Sequence, residues 1–357
     1  MPLLINNDVT ARVLRTADAV TAMESAFRQL AEGNAAFQPR TDFWSPTAAV
    51  GDYFRWGSLI GMIADPPTFA LRFKSDILEW TGSNRAFTEK WFNMEPGRYC
   101  GFIILIDTTN GEIIGLLNDG VIQHVRVGAT AGVGAKYLSR PDSHVLGMLG
   151  SGGMARTYAE AICAVRPIEE IRIHSPTPEN RERLAHALAR DLGIAVRAVD
   201  DARTALTDAD IVATCTDSRR PVYTADMLAL HRPGAFIVRT RPDEMDDATF
   251  EAVDRVVVTS QEGYAEYVIG SQAERDRRPM DAAYRRRYRS NAAWDRLAEV
   301  VAGKAPGRRT ATETIFHHNQ SAGIQFAAVG RLVYERAKAL GLGLPIPMDW
   351  FQQDIRN

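Results

Sequence analysis

Cysteine is scarce in this chain. Only Cys100, Cys163 and Cys215 occur among 357 residues; three thiols cannot all pair, and their spacing is not that of zinc ligands. A disulfide framework is excluded, a reducing compartment fits, and each thiol is expected to be a small buried apolar group. Histidine offers no metal cluster either: of seven, only His317 and His318 adjoin, and adjacent residues do not share a helical face. No metal site is expected. Charge of one sign is also lacking. Lys and Arg number 42 against 44 Asp and Glu, a net charge of −2, which implies no general attraction to nucleic acid or an anionic membrane. No apolar run approaches the roughly 18 residues of a membrane span. Met1–Asp8 carries no basic stretch ahead of a long apolar segment, so no signal peptide is expected and the protein is expected to be cytoplasmic.

What is there is a glycine turn. Val145–Leu149 is a short apolar run that ends in Gly150-Ser151-Gly152-Gly153-Met154-Ala155, and Arg156–Val165 is helix-compatible. Strand, glycine turn and helix in that order form a dinucleotide-binding unit. Gly150 allows the tight turn, Gly152 lets the backbone approach a pyrophosphate, and Ala155 lets the helix pack close. The phosphates would sit over unpaired N–H groups at the positive end of the helix dipole. A glycine turn alone also fits a strand-to-helix bend without a ligand. The following segments favour the nucleotide: Glu170–His174, Ile194–Val199 and Ile211–Thr214 read as strands, with helical patterns at 179–191 and 202–208 between them. Such alternation predicts a parallel sheet.

The end of the second strand bears on the cofactor. An NAD site places Asp or Glu there to bind the ribose 2′-hydroxyl. Here the chain reads His174-Ser175-Pro176-Thr177-Pro178-Glu179-Asn180-Arg181. Ser175, Thr177 and Arg181 suit a 2′-phosphate, or equally serve as helix caps and a solvated arginine, while Glu179 sits where a helix start wants an acid. NADP(H) is favoured over NAD(H).

A length of 357 residues suggests two domains. Residues 8–31 carry apolar positions at helical spacing, with Thr16 or Asp18 as a cap. Tyr53–Trp56, Phe69–Phe73 and Phe102–Ile106 read as strands, and Asn110-Gly111 as the hairpin turn into Ile113–Leu117. Val125–Leu138 and 323–340 read as helices. The aromatic stretch around Trp80, Trp91 and Phe92 lines a pocket or packs a loop. Residues 272–289, with Arg285-Arg286-Arg287, meet a polyanion or form a solvated helix face, and the second is favoured.

Taken together these pieces resemble the ornithine cyclodeaminase/μ-crystallin family. The resemblance is carried by Leu117-Asn118-Asp119-Gly120, Arg126-Val127-Gly128-Ala129-Thr130, Ala135-Lys136-Tyr137-Leu138, the glycine turn, Asp210–Thr216, Pro221-Val222, Pro233-Gly234-Ala235, Val333–Ala337 and Gly341–Gly343. It implies an α/β fold in which a Rossmann-type nucleotide-binding domain, residues 126–315, is inserted into an α+β substrate and dimerisation domain, residues 1–125 and 316–357. A homodimer is implied. Cofactor contacts are implied at Thr214, Cys215 and Thr216 besides the residues of the glycine turn. A carboxylate clamp is implied at Arg40, Lys74 and Arg126. Guanidinium forks suit a carboxylate, and a lysine beside them adds charge and can move a proton.

Two departures narrow the activity. The Gly-Gly-Asp that cyclodeaminases carry after a late strand is replaced by Arg239-Thr240-Arg241, leaving Asp243 or Asp246 as substitutes. Tyr53–Ser58 offers no acid for a distal amine. Arg239 and Arg241 face a second acid group or form surface pairs. The expected activity is therefore an NADP(H)-dependent oxidoreductase of the imine reductase or amino-acid dehydrogenase type. Its partner is a small amino, imino or keto acid, and Lys74 is the catalytic residue. The alternatives are a redox-neutral cyclodeaminase releasing ammonia and a μ-crystallin-like NADPH-dependent binding protein.

Overall fold

Long alternating segments near the N-terminus and short apolar ones after residue 144 build two different sheets. A computed structural model of the chain describes residues 1–82, 87–95, 97–261, 264–277 and 293–355. The side chains of Trp80 and Trp91 and the run Arg285-Arg286-Arg287 lie outside the described part. The chain opens with β1 (Leu3–Ile5), α1 (Asn7–Val13) and α2 (Thr16–Glu32). The single helical pattern of residues 8–31 is thus broken in two at Leu14-Arg15, where both residues are extended; Asn6 fixes the start of α1 by accepting from Val9 N at 2.9 Å. Thr16 and Asp18 lie in the first turn of α2 rather than at its cap.

The strands β2 (Ala35–Phe37), β3 (Arg40–Pro46), β4 (Tyr53–Ile63), β5 (Thr68–Gly82), β6 (Phe87–Phe92), β7 (Gly101–Asp107) and β8 (Ile113–Asn118) follow. Most pair antiparallel in the order β3-β4-β5-β7-β8, with β1 parallel to β8 at the end. Asn110-Gly111 makes the expected turn, Gly111 taking φ +77° between β7 and β8. Helix α3 (Gly120–Leu138) then leads to the second sheet.

That sheet is built from β9 (Val145–Leu149), β10 (Glu170–His174), β11 (Ala195–Ala198), β12 (Ile211–Thr214), β13 (Phe236–Arg239), β14 (Arg255–Val258), β16 (Asp295–Arg296) and β17 (Ile315–His318). Helix α4 (Gly153–Cys163) follows β9, and α5 (Pro178–Leu192) follows β10. All pairings are parallel, in the order β11-β10-β9-β12-β13-β17-β14-β16. The central strands β9, β12, β13, β14 and β17 are buried along their whole length, as in the apolar run Ile211–Thr214, whereas β10 and β11 nearer the edge are only partly buried. The order reverses between β9 and β12, which opens a crevice at the carboxyl ends of the strands.

The sheets divide the chain at other places than the boundaries read from the sequence. β15 (Tyr264–Val268) returns to the first sheet, its Tyr264 opposite Arg40 in a parallel pairing. β17 belongs wholly to the second sheet, so residues 316–318 lie with the nucleotide unit. The C-terminal helix Ile324–Ala339 then packs on the first sheet, and β18 (Leu344–Pro345) pairs with β1. A Cβ at Gly323 would lie 2.0 Å from Ile60 O, and one at Gly61 2.4 Å from Ile324 N. The helix start therefore meets β4 backbone to backbone. The three cysteines are free; Cys215 is buried, whereas Cys100 and Cys163 are half-buried.

Candidate active site

A cavity of about 720 Å³ lies over the carboxyl ends of β9, β10, β12, β13 and β17. Gly150–Met154 form its floor, Ser175–Thr177 with Asn180 and Arg183 one end, and Gln123, His124, Arg126 and Val127 of α3 a wall. The residues fit a dinucleotide. Gly150 has φ +115°, and a Cβ there would stand 2.2 Å from Cys215 O. At Gly152 a Cβ would meet nothing within 4 Å, so the turn is open on the cavity side. Ala155 is fully buried against the strand, as its small size suggested. Gly152, Gly153 and Met154 at the start of α4 line the cavity, where a helix terminus offers N–H groups to an anion; Ala155 N already donates to Gly152 O at 3.1 Å.

At the β10 end, Ser175 Oγ and Ser151 Oγ are hydrogen-bonded at 2.8 Å. Arg181 does not reach the cavity. It is buried under the loop, where it donates to Ser175 O at 2.8 Å and pairs with Asp200. The cation on the lining is Arg183, two residues on, beside Asn180 at 2.6 Å. Glu179 is exposed and lies off the lining, which at this end carries no carboxylate.

Glu244 ties the far loops together. Its fully buried carboxylate accepts from Thr240 N at 3.0 Å, Arg241 N at 2.6 Å, Thr214 Oγ1 at 3.1 Å, Thr216 Oγ1 at 2.9 Å and Thr216 N. Thr214 is therefore a support under the cavity, while Cys215 and Thr216 line it. Burial pushes both the Glu244 carboxyl and the Cys215 thiol up from their ordinary values. Arg239 and Arg241 also line the cavity. Arg239 is no surface residue: it donates to Pro242 O at 2.9 Å, contacts His318 Nδ1 at 3.0 Å and stacks on Phe250. Neither candidate acid, Asp243 or Asp246, is on the cavity lining. Asp243 is buried against Arg219 at 2.9 Å, and Asp246 caps a short helix by accepting from Thr249 N at 2.9 Å.

The inner face of the first sheet holds a buried charged cluster. Arg40, Asp42, Arg55, Arg72, Lys74 and Asp76 occupy alternate strand positions and are all nearly inaccessible. Lys74 stands opposite Gly57 on β4 and Gly101 on β7. A Cβ at Gly57 would lie 2.5 Å from Asp42 Oδ1, and one at Gly101 2.3 Å from Asp119 Oδ1. The two glycines thus make room for a carboxylate on each side of the lysine. Asp42 is gripped by Arg40 at 2.9 and 3.0 Å and by the Tyr264 hydroxyl at 3.0 Å. Asp76 accepts from Arg55 at 2.9 Å and from Lys74. Burial, reinforced by the Arg55 charge, holds the Lys74 ammonium well below its ordinary value. Asp119 takes Arg72 Nε at 2.6 Å, and its Oδ1 is buried without a hydrogen-bond donor among the described residues.

Arg126 joins the cluster to the cavity. It is buried and, among the described residues, donates only to neutral oxygens: Gln123 Oε1, Ser321 Oγ and Gln325 Oε1, each at 2.8 Å. Its guanidinium and that of Arg72 stack on one Phe326 ring, at 4.9 and 5.4 Å. Arg126 lines the nucleotide cavity, whereas Arg40 and Lys74 lie on the adjoining sheet face. Sequence reasoning missed Asp42, Arg55, Arg72, Asp76, Asp119 and Gln325. One signal was present: charges at every second position in Arg40-Thr41-Asp42 and Arg72-Phe73-Lys74-Ser75-Asp76. Strand-spaced charges ordinarily mark a solvated face, and here that face is covered.

A buried lysine among arginines thus stands beside the crevice. The model of the Ornithine cyclodeaminase/mu-crystallin family matches residues 3–341. The chain belongs to that family. It is 27% identical over 246 residues to a Delta(1)-pyrroline-2-carboxylate reductase of Bacillus cereus, covering 68% of this chain and 73% of that one. It is 28% identical over 240 residues to the ketimine reductase mu-crystallin of Macropus fuliginosus, covering 65% and 68%. Among solved structures, the Delta(1)-pyrroline-2-carboxylate reductase of Thermococcus litoralis in complex with NADH and L-proline superposes with a TM-score of 0.76. Identity there is 25%, covering 96% of this chain and 100% of that one.

Proposed function

We propose that this protein is an NADP(H)-preferring oxidoreductase that acts on the carbon–nitrogen bond of an α-imino or α-amino acid. The observation that carries the reading is Arg126, a buried guanidinium with no carboxylate partner among the described residues, on the wall of a dinucleotide cavity. A substrate carboxylate supplies the missing anion. When bound, a reduced nicotinamide supplies the hydride. Lys74, with its proton affinity lowered by burial, gives up a proton to the substrate nitrogen more readily than a solvated lysine would. Asp119 Oδ1 is the buried acceptor available to an iminium or ammonium N–H. The relatives support the reaction class, since two of them are named reductases of imine substrates.

Preference for the phosphorylated cofactor is supported by the lining around the second strand, where Ser175, Thr177, Asn180 and Arg183 are polar or cationic and no acid is present. A homodimer is supported by the outer face of the first sheet. There Tyr267, Phe43, Trp56, Phe73 and Phe102 form a continuous aromatic ribbon, with Phe43 and Tyr267 stacked at 4.7 Å and half exposed. A second copy covering this ribbon predicts that sedimentation gives a dimer and that Phe43→Asp gives a monomer. A monomeric wild-type protein would refute it.

The activity test is direct. Purified protein is titrated with NADPH and NADH by fluorescence, then assayed for NADPH oxidation with cyclic imino acids and with keto acids plus amines. Oxidation with a carboxylated imine, and none with the same imine lacking its carboxylate, is expected. Tight cofactor binding without turnover on any of these would favour a binding protein, and ammonia release from ornithine without net cofactor turnover a cyclodeaminase. Either result sinks the oxidoreductase reading.

A further inference from the structure

We propose that His124 binds the pyrophosphate of the dinucleotide and makes cofactor affinity depend on pH. The proposal rests on the nucleotide reading of the cavity. His124 lies in the second turn of α3 and lines the cavity beside Gly152 and Gly153, its ring open to the space. Its Nε2 points at the start of α4: a Cβ at Gly153 would lie 3.3 Å from it. The two helices are held in this relation. Thr157 Oγ1 of α4 donates to His124 O at 3.0 Å, and a Cβ at Gly128 would stand 2.5 Å from Thr157 O.

An anion seated over the first N–H groups of α4 therefore meets the imidazole edge as well as the helix terminus. The charged groups acting on the ring are Asp119, just ahead of α3, and Arg126, on α3 itself; the first residues of α4, Gly153–Ala155, carry none. In the free protein partial desolvation at the cavity wall holds the ring below its ordinary pKa of 6.5, so it is neutral above that pH. A dinucleotide pyrophosphate beside Nε2 favours the imidazolium and raises that value. Binding then takes up a proton, and affinity increases as pH falls. The gain is complete below the pKa of the free protein and absent above that of the complex. The expected gain is roughly three- to tenfold in affinity.

The test is fluorescence titration of the full-length protein with NADH from about pH 5.5 to about pH 8.5, comparing wild type with His124→Gln and His124→Asn. NADH is the probe because it lacks the 2′-phosphate, which itself titrates near pH 6. Wild type is expected to bind three- to tenfold more tightly at the acid end. Both variants should lose the slope while melting at the wild-type temperature at alkaline pH. An unchanged slope in folded His124→Gln and His124→Asn would overturn the assignment while leaving the nucleotide reading intact. Failure of the wild-type protein to bind either NADH or NADPH would overturn both.

Discussion

Arg126 donates to Gln325 Oε1 at 2.8 Å, and this bond joins the helix leading into the nucleotide sheet to the helix that closes the first sheet. Gln325 is in turn fixed by Thr130 Oγ1 at 2.9 Å and Ala322 N at 3.1 Å. The guanidinium is thus held before any substrate arrives, which removes part of the ordering cost of binding. Replacing Arg126 by Ala should lower kcat/KM about a hundredfold, roughly 3 kcal/mol, chiefly through KM. Arg126→Lys should recover little, because an ammonium cannot replace the fork. Steady-state kinetics with a cyclic imino acid decide this; an unchanged KM in Arg126→Ala would remove the carboxylate role.

Lys74 should set the alkaline limb of the reductive rate. Reduction needs the protonated form, so the rate falls as pH rises through its pKa, which burial places well below 10.5. Lys74→Ala should lose about 10²- to 10⁴-fold in kcat with NADPH affinity unchanged. Its residual activity should lack that limb. A pH–rate profile with the same alkaline limb in wild type and variant would show that another group supplies the proton.

Gly57 and Gly101 should resist substitution because carboxylates occupy their side-chain space. Gly101→Ala pushes on Asp119 from 2.3 Å and should cost about 1–3 kcal/mol of stability. The partner identifies the cause: in an Asp119→Ala background the added cost of Gly101→Ala should shrink, and the two changes should fail to add. Thermal unfolding of the four proteins measures it, and strict additivity would contradict the packing argument.

Acid should destabilise the protein through His317. Its imidazole is completely buried, contacts Thr259 Oγ1 through Nε2 at 3.0 Å, and is pushed down to about 3 by burial. The unfolded chain protonates this group first as pH falls below 6.5, so stability drops between there and about 3 and is unaffected above 6.5. The slope from this one group is about 1.4 kcal/mol per pH unit. His317→Gln should flatten the fall in melting temperature between pH 6.5 and pH 4; an unchanged slope would place the acid sensitivity elsewhere.

Much of the nucleotide unit was legible from local pattern. Glu170–His174 and Ile211–Thr214 form strands with the ends read from sequence, the first because its apolar residues alternate on a half-buried strand, the second because a strand buried on both faces is an uninterrupted apolar run. The glycine turn was equally plain, since a left-handed residue ahead of a helix restricts the choice to glycine. Arg181 and Arg183 show where this ends. Both follow Thr177 on one helix, and one turns inward to Ser175 and Asp200 while the other faces the cavity. Helical position relative to a sheet not yet assembled decided between them.

By itself, then, the sequence determined the parallel sheet, the crevice at its switch point, and the set of cations available to hold an acid. Only the tertiary structure decided that Arg40, Arg55, Arg72 and Lys74 are buried on one face, that Gly57 and Gly101 admit carboxylates beside the lysine, and that Arg126 alone of the three clamp residues reaches the cavity. The reason is physical. Backbone propensity and apolar period are written in neighbouring residues, whereas the burial of a charge depends on which distant helix, here Ile324–Ala339, comes to cover it.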